Sequence, residues 1–120
     1  TLWNENYDKN ISKMVDLYFR KQINNILLVV PKDLSFDKRL KGDFNLINEK
    51  LTKDNNKNFI YTGCQIINKN IFSKITKKKF SMNEIWNSQL KESRLFAYES
   101  NIEFLHVTDL EIYNKILKNQ

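Results

Sequence analysis

Apolar positions recur along this chain with two different periods, and the switch between them outlines the fold. Over Tyr7 to Lys21, the residues Ile11, Met14, Val15, Tyr18 and Phe19 fall at i, i+3, i+4, i+7 and i+8. That spacing predicts one amphipathic helix with this stripe turned inward. Ile26-Leu27-Leu28-Val29-Val30 comes next as an unbroken apolar run that Pro31 stops. Such a run suits a strand covered on both faces, as in a parallel sheet. After a polar loop, Lys32 to Lys41, the residues Phe44, Leu46 and Asn48 alternate with polar neighbours and predict a half-buried strand over 42–48. Lys50 to Asn58 is dense in Lys, Asn and Asp and reads as a surface turn.

The second half of the chain repeats the two periods. Phe59 to Asn68 (FIYTGCQIIN) is rich in β-branched and aromatic residues, and a short helical segment is expected around Ile71, Phe72 and Ile75. Ser81-Met82-Asn83-Glu84 has the spacing of a capping box, with Met82, Ile85, Trp86 and Leu90 on the helix face behind it. Leu95 to Ser100 and Ile102 to Val107 predict two strands joined by a tight turn at Ser100-Asn101. Thr108 and Glu111 repeat the capping spacing ahead of a last helix carrying Leu110, Tyr113, Ile116 and Leu117. Helices alternating with strands make this an α/β chain.

Gly63 interrupts the FIYTGCQIIN strand, and the chain owns only two glycines. A glycine inside a strand weakens it, so its presence means either a bulge or a close backbone approach.

Composition narrows the function classes. At 120 residues with 41% hydrophobic content, the chain has the material for one domain with a real core. The single cysteine, Cys64, excludes an internal disulfide and fits a reducing compartment. No signal-like or membrane-spanning run is present, so the expectation is a soluble, cytoplasmic protein without a membrane partner. The net charge of +6 is an excess without a stripe, because the tight cluster is confined to Lys77-Lys78-Lys79. A solvated basic surface is the plainer reading than a nucleic-acid face.

Candidate chemistry is sparse. One histidine and one cysteine do not make a zinc site, and the two glycines are too far apart for a phosphate-binding loop. A Cys64–His106 nucleophile pair is conceivable, although a cysteine in a strand pattern is more often core filler. Asp43 directly follows Gly42 at a strand start, which is equally good turn chemistry. His106 ends a strand just before a helix cap, where open α/β sheets place ligands; a histidine bonded at the mouth of the core explains the same position.

Three stretches together resemble the carboxyl-terminal half of sugar-phosphate nucleotidyltransferases. The likeness is to the bacterial mannose-1-phosphate guanylyltransferase and N-acetylmuramate-1-phosphate uridylyltransferase group. Lys41-Gly42-Asp43-Phe44 is similar to that group's glycine-aspartate-phenylalanine motif. Tyr61-Thr62-Gly63-Cys64-Gln65 resembles its aromatic-threonine-glycine-x-glutamine strand. Phe80-Ser81-Met82-Asn83 with Trp86, followed by Leu105-His106-Val107, resembles its FSLN-x-x-W helix and terminal strand. The order is right over nearly the whole chain.

The resemblance implies an incomplete Rossmann-like mixed sheet with flanking helices, of the nucleotide-diphospho-sugar transferase type. Residues 1–120 would be the carboxyl-terminal part of one such domain. Thr1-Leu2-Trp3 resembles the residues just after the family's magnesium-binding aspartate, so the amino-terminal nucleotide loop is expected to lie upstream and this piece alone to be inactive. The implied reaction joins a nucleoside triphosphate and a sugar 1-phosphate into an NDP-sugar, releasing pyrophosphate, with Mg2+ neutralising charge. The implied sugar-side residues are Gly42, Asp43, Thr62, Gly63 and Asn83. His106 falls where many members place a metal-binding aspartate, and Thr108-Asp109 stands where glycine-threonine is usual. The competing readings are a noncatalytic basic module for RNA or an acidic partner, and a decayed relative that keeps the fold without the chemistry.

Overall fold

A computed structural model describes residues 1–74 and 80–119. The basic cluster Lys77-Lys78-Lys79 and Ile75 lie outside the described residues. The elements in chain order are α1 (Tyr7–Arg20), β1 (Asn25–Pro31), β2 (Asn45–Ile47), β3 (Lys50–Thr52), β4 (Phe59–Ile67), α2 (Met82–Lys91), β5 (Phe96–Glu99) and α3 (Leu110–Lys118). Short 3-10 turns cover Lys32–Leu34 and Lys69–Lys74. The five strands form one mixed sheet in the order β2-β3-β5-β1-β4.

β1 is the spine. Residues Asn25 to Val30 are all buried, β5 runs parallel on one side of it, and β4 runs antiparallel on the other. The unbroken apolar run therefore does what it predicts, filling both faces. Ile26 and Leu28 pack with Tyr7, Met14, Leu17 and Ile23 under α1. Leu27 and Val29 pack with Phe44, Leu51, Leu95 and Ala97, and Trp86 and Leu90 of α2 close that side. The result is an α/β arrangement, a five-stranded mixed sheet flanked by helices.

α1 forms where its pattern predicts but presents a different face. Its buried residues are Tyr7, Asn10, Met14 and Leu17. Of the expected stripe only Met14 is fully buried, Ile11 and Tyr18 are half-buried, and Val15 and Phe19 are 37% and 72% exposed. The helix carries two adjoining apolar stripes that share Met14, and the sheet takes the one that also holds Leu17. Just past the helix and its C-cap Lys21, Gln22 takes φ +50° and Ile23 N–H donates to the Tyr18 carbonyl at 3.3 Å, a left-handed C-terminal motif.

Three other expectations need correcting. The surface turn expected over 50–58 begins with β3, whose Leu51 is buried, because Asn48 and Glu49 both take positive φ and fold β2 back on it as a tight hairpin. The hairpin expected at Ser100-Asn101 does not form: Ser100 N–H donates to the Val29 carbonyl, so the chain runs on past the end of β1. Beyond it only Phe104 pairs, bridging Ser35 in parallel, in place of a strand over 102–107. Finally, the cap of α3 is Asp109, whose carboxylate accepts from Ile112 N–H at 3.0 Å, one residue after the expected Thr108. The cap of α2 is Ser81, as expected, accepting from Asn83 N–H at 3.2 Å.

Candidate functional site

The strand with the odd glycine is where the sequence-predicted residues meet. Opposite Leu27-Leu28-Val29 of β1, β4 spends the five residues Tyr61 to Gln65, so two extra residues bulge out between them. An excess of two keeps the in-and-out alternation intact on both sides, whereas an excess of one would turn the rest of the strand over. Gly63 sits at the bulge with φ +95°, a conformation other residues rarely adopt, and a Cβ there would meet nothing within 4 Å. Thr62 pins the bulge from below, its hydroxyl donating to the Leu28 carbonyl at 2.8 Å. Of the two readings of this glycine, the bulge is the correct one.

Close backbone approach belongs to the other glycine. A Cβ on Gly42 would lie 1.8 Å from the Lys57 carbonyl oxygen, so this position has room for hydrogen alone. Asp43 is next, with its N–H donating to the Phe59 carbonyl at 2.7 Å and its carboxylate accepting from Tyr61 N–H at 2.9 Å. It thereby caps the open edge of β4 one residue before Thr62.

His106 reaches the same place from the segment after β5. Its ring lies flat against Phe104, with centroids 5.7 Å apart and planes 6° off parallel. The Thr1 hydroxyl stands 3.2 Å from His106 Nδ1 and 3.4 Å from the Thr62 carbonyl oxygen, linking the two. Nδ1 is therefore engaged, and Nε2 has no hydrogen bond among the described residues. Thr62 and His106 are thus joined through Thr1 beside Gly63, and Asp43 stands on the β4 edge at neighbouring Tyr61. Asn83 is not tied to them: it is exposed on the first turn of α2, where its N–H donates to the Ser81 hydroxyl.

Among the described residues no group of three or more His, Cys, Asp or Glu is placed to hold a metal ion. Cys64 packs half-buried against the α1 core, and burial pushes its thiol up, the opposite of what an activated nucleophile needs. Burial likewise pushes the Tyr61 hydroxyl up to about 12.

Sequence reasoning misses the densest polar cluster. Asp37 is 2% exposed. Arg39 grips it through Nε and Nη2 at 3.0 and 3.1 Å, and the Thr108 hydroxyl donates to it at 2.6 Å. The Arg39 and Thr108 hydrogen bonds hold its carboxyl well below the usual carboxylate range. Arg39 also reaches Asp109 at 3.0 Å and Glu111 at 3.5 Å, fastening α3 to the loop after β1. Asp37 and Thr108 stand 71 residues apart in the chain, at a spacing no local pattern reports.

Among the described residues no helix is long and apolar enough to cross a membrane. No family model matches this chain, and no curated protein matches it.

Proposed function

We propose that this chain forms the sugar side of a sugar-1-phosphate nucleotidyltransferase with a nucleotide-diphospho-sugar transferase type of fold. Its partners would be a nucleoside triphosphate and a sugar 1-phosphate. The observation that carries the reading is the linked set Thr62–Thr1–His106 beside the open bulge at Gly63. The motif resemblance puts Thr62 and Gly63 on the sugar side and His106 at a metal-binding position. At this edge the space beside the Gly63 Cα is open to 4 Å, and the exposed Asp43 and half-buried Thr62 supply oxygens that would accept from sugar hydroxyls. With the single Thr1 hydroxyl hydrogen on the Thr62 carbonyl, His106 Nδ1–H donates to Thr1, and Nε2 donates to a phosphate oxygen when both ring nitrogens carry hydrogen.

The reaction class brings Mg2+, and the donors found here do not suit it. An imidazole, a threonine hydroxyl and the single Asp43 carboxylate, which already accepts from Tyr61 N–H, are not the hard, anionic oxygen set that this ion prefers. His106 is accordingly assigned to the phosphate of the sugar substrate and not to the metal.

The test is a titration of the chain with glucose 1-phosphate and with N-acetylglucosamine 1-phosphate, followed on the amides of Thr62 and Gly63 and on the His106 ring. Saturable shifts at these groups are expected, and His106→Ala should weaken binding by about tenfold, the loss of one charge-assisted hydrogen bond. No shift at concentrations above ~1 mM, the upper end of ordinary KM values, sinks the proposal. So do equal shifts with inorganic phosphate alone.

A further inference from the structure

A cleft opens beyond the start of β1, about 13 Å from Leu28 at the rise of an extended strand. It is a groove of about 1030 Å3 between the start of β1, the end of β4 and helix α2. Its polar lining mixes the carboxamides of Gln22, Asn24, Asn68, Asn70 and Gln89 with charged residues and the hydroxyl of Ser88. Its apolar lining residues are Ile23, Ile71, Ile85 and Phe96.

Gln89 is held from behind. Asn25 is completely buried, and its Nδ2 donates to Gln89 Oε1 at 3.1 Å. That bond occupies the Gln89 oxygen and leaves its amide hydrogens to donate elsewhere. The Asn25 Oδ1 acceptor is buried without a partner among the described residues, which is a costly state beside a polar groove. At the far side Asn68 N–H donates to the Asn24 carbonyl at 2.8 Å, and Asn68 Oδ1 accepts from Asn70 N–H at 2.9 Å. The Asn68 amide hydrogens are thereby left over as well.

The charges around the groove do not add up to an anion site. Lys21 is ion-paired with Glu49 at 2.7 Å, and the Lys50 ammonium lies 5.7 Å over the Phe96 ring. Arg94 shares the rim with the carboxylates of Glu84 and Glu92. Amide hydrogens left over on Gln89 and Asn68, among charges of both signs that largely offset one another, match a ligand with uncharged oxygen acceptors. Hydroxyls on a sugar ring have that property.

We propose that this groove is a binding site for a neutral saccharide, separate from the edge that carries Thr62 and His106. The inference stands independently of the nucleotidyltransferase reading, since it uses none of the same residues. Titration with maltose, followed on the side-chain amide signals of Gln89, Asn24 and Asn68, tests it. Saturable shifts there are expected in the millimolar range, with Thr62, Gly63 and His106 unmoved. Gln89→Leu should weaken the binding about tenfold, and Asn70→Ala, an exposed position that folding does not depend on, should weaken it measurably. Absence of saturable maltose shifts overturns the proposal, as does stronger binding of inorganic phosphate in this groove. Maltose binding that survives both substitutions overturns it too.

Discussion

A methyl group added to Gly42 runs into the Lys57 carbonyl oxygen, while one added to Gly63 enters open space. The two glycines are therefore irreplaceable to different degrees. Gly63→Ala meets only the backbone strain of φ +95° and is expected to cost about 1–3 kcal/mol. Gly42→Ala must push two backbone segments apart and is expected to cost more, enough to lower expression of folded chain. Chemical denaturation of both variants checks the order, and equal costs would mean the bulge is not where the strain is relieved. The sequence alone tells that a glycine inside FIYTGCQIIN fills a role that a side chain prevents. It does not tell which of bulge or close approach applies, because that depends on Leu28 and Lys57, partners remote in the chain. Asp43 is equally undecided in the sequence between turn and site. The structure gives it a backbone duty, accepting from Tyr61 N–H, that is compatible with both.

Elements are readable in existence more than in orientation. Periodicity locates α1, β1, β4, α2 and α3 because each follows one period long enough to stand out. β3 escapes because three residues among many Lys and Asn carry a single buried side chain, Leu51. The face of α1 escapes for another reason: two apolar stripes adjoin on it, and only the sheet decides between them. Substitutions separate the two faces. Leu17→Ala removes a fully packed side chain and is expected to cost about 2–5 kcal/mol. Phe19→Ala, from the larger residue of the predicted stripe, should stay within about 0.5 kcal/mol, because Phe19 is 72% exposed. Denaturant midpoints for the two variants decide the matter, and a reversed order would put the helix back on its predicted face. The cap of α3 is displaced by one residue for a similar cause. Thr108 has the right chemistry for a cap, but Asp37 claims its hydroxyl, and Asp109 takes over.

At the scale of the whole molecule, one buried carboxylate joins the loop after β1 to the last helix. Asp37, Arg39, Thr108 and Asp109 form a single network, and its formation from distant segments is why the polar loop at 32–41 is featureless in the sequence. The network has a pH signature whose sign comes from its chemistry. The Asp37 carboxyl is held well below its unfolded value of ~3.9 by Arg39 first and Thr108 second. The unfolded chain therefore binds its proton at higher pH than the folded chain does, and stability rises with pH across that window. Above the unfolded value the stabilisation is complete; as pH falls below about 4 it is progressively lost. Asp54 and Asp109 are lowered too, by hydrogen bonds to the Asn56 and Ile112 backbone respectively, and add to the slope in the same direction. Asp37→Asn keeps the shape of the side chain but removes the charge that answers Arg39. The variant should be less stable than the parent chain at pH 7, and its stability should fall less steeply between about pH 4 and about pH 2. The two curves must then converge in acid. Thermal unfolding across that range measures the convergence, and parallel curves would show that the buried carboxylate is not the group through which acid loosens α3.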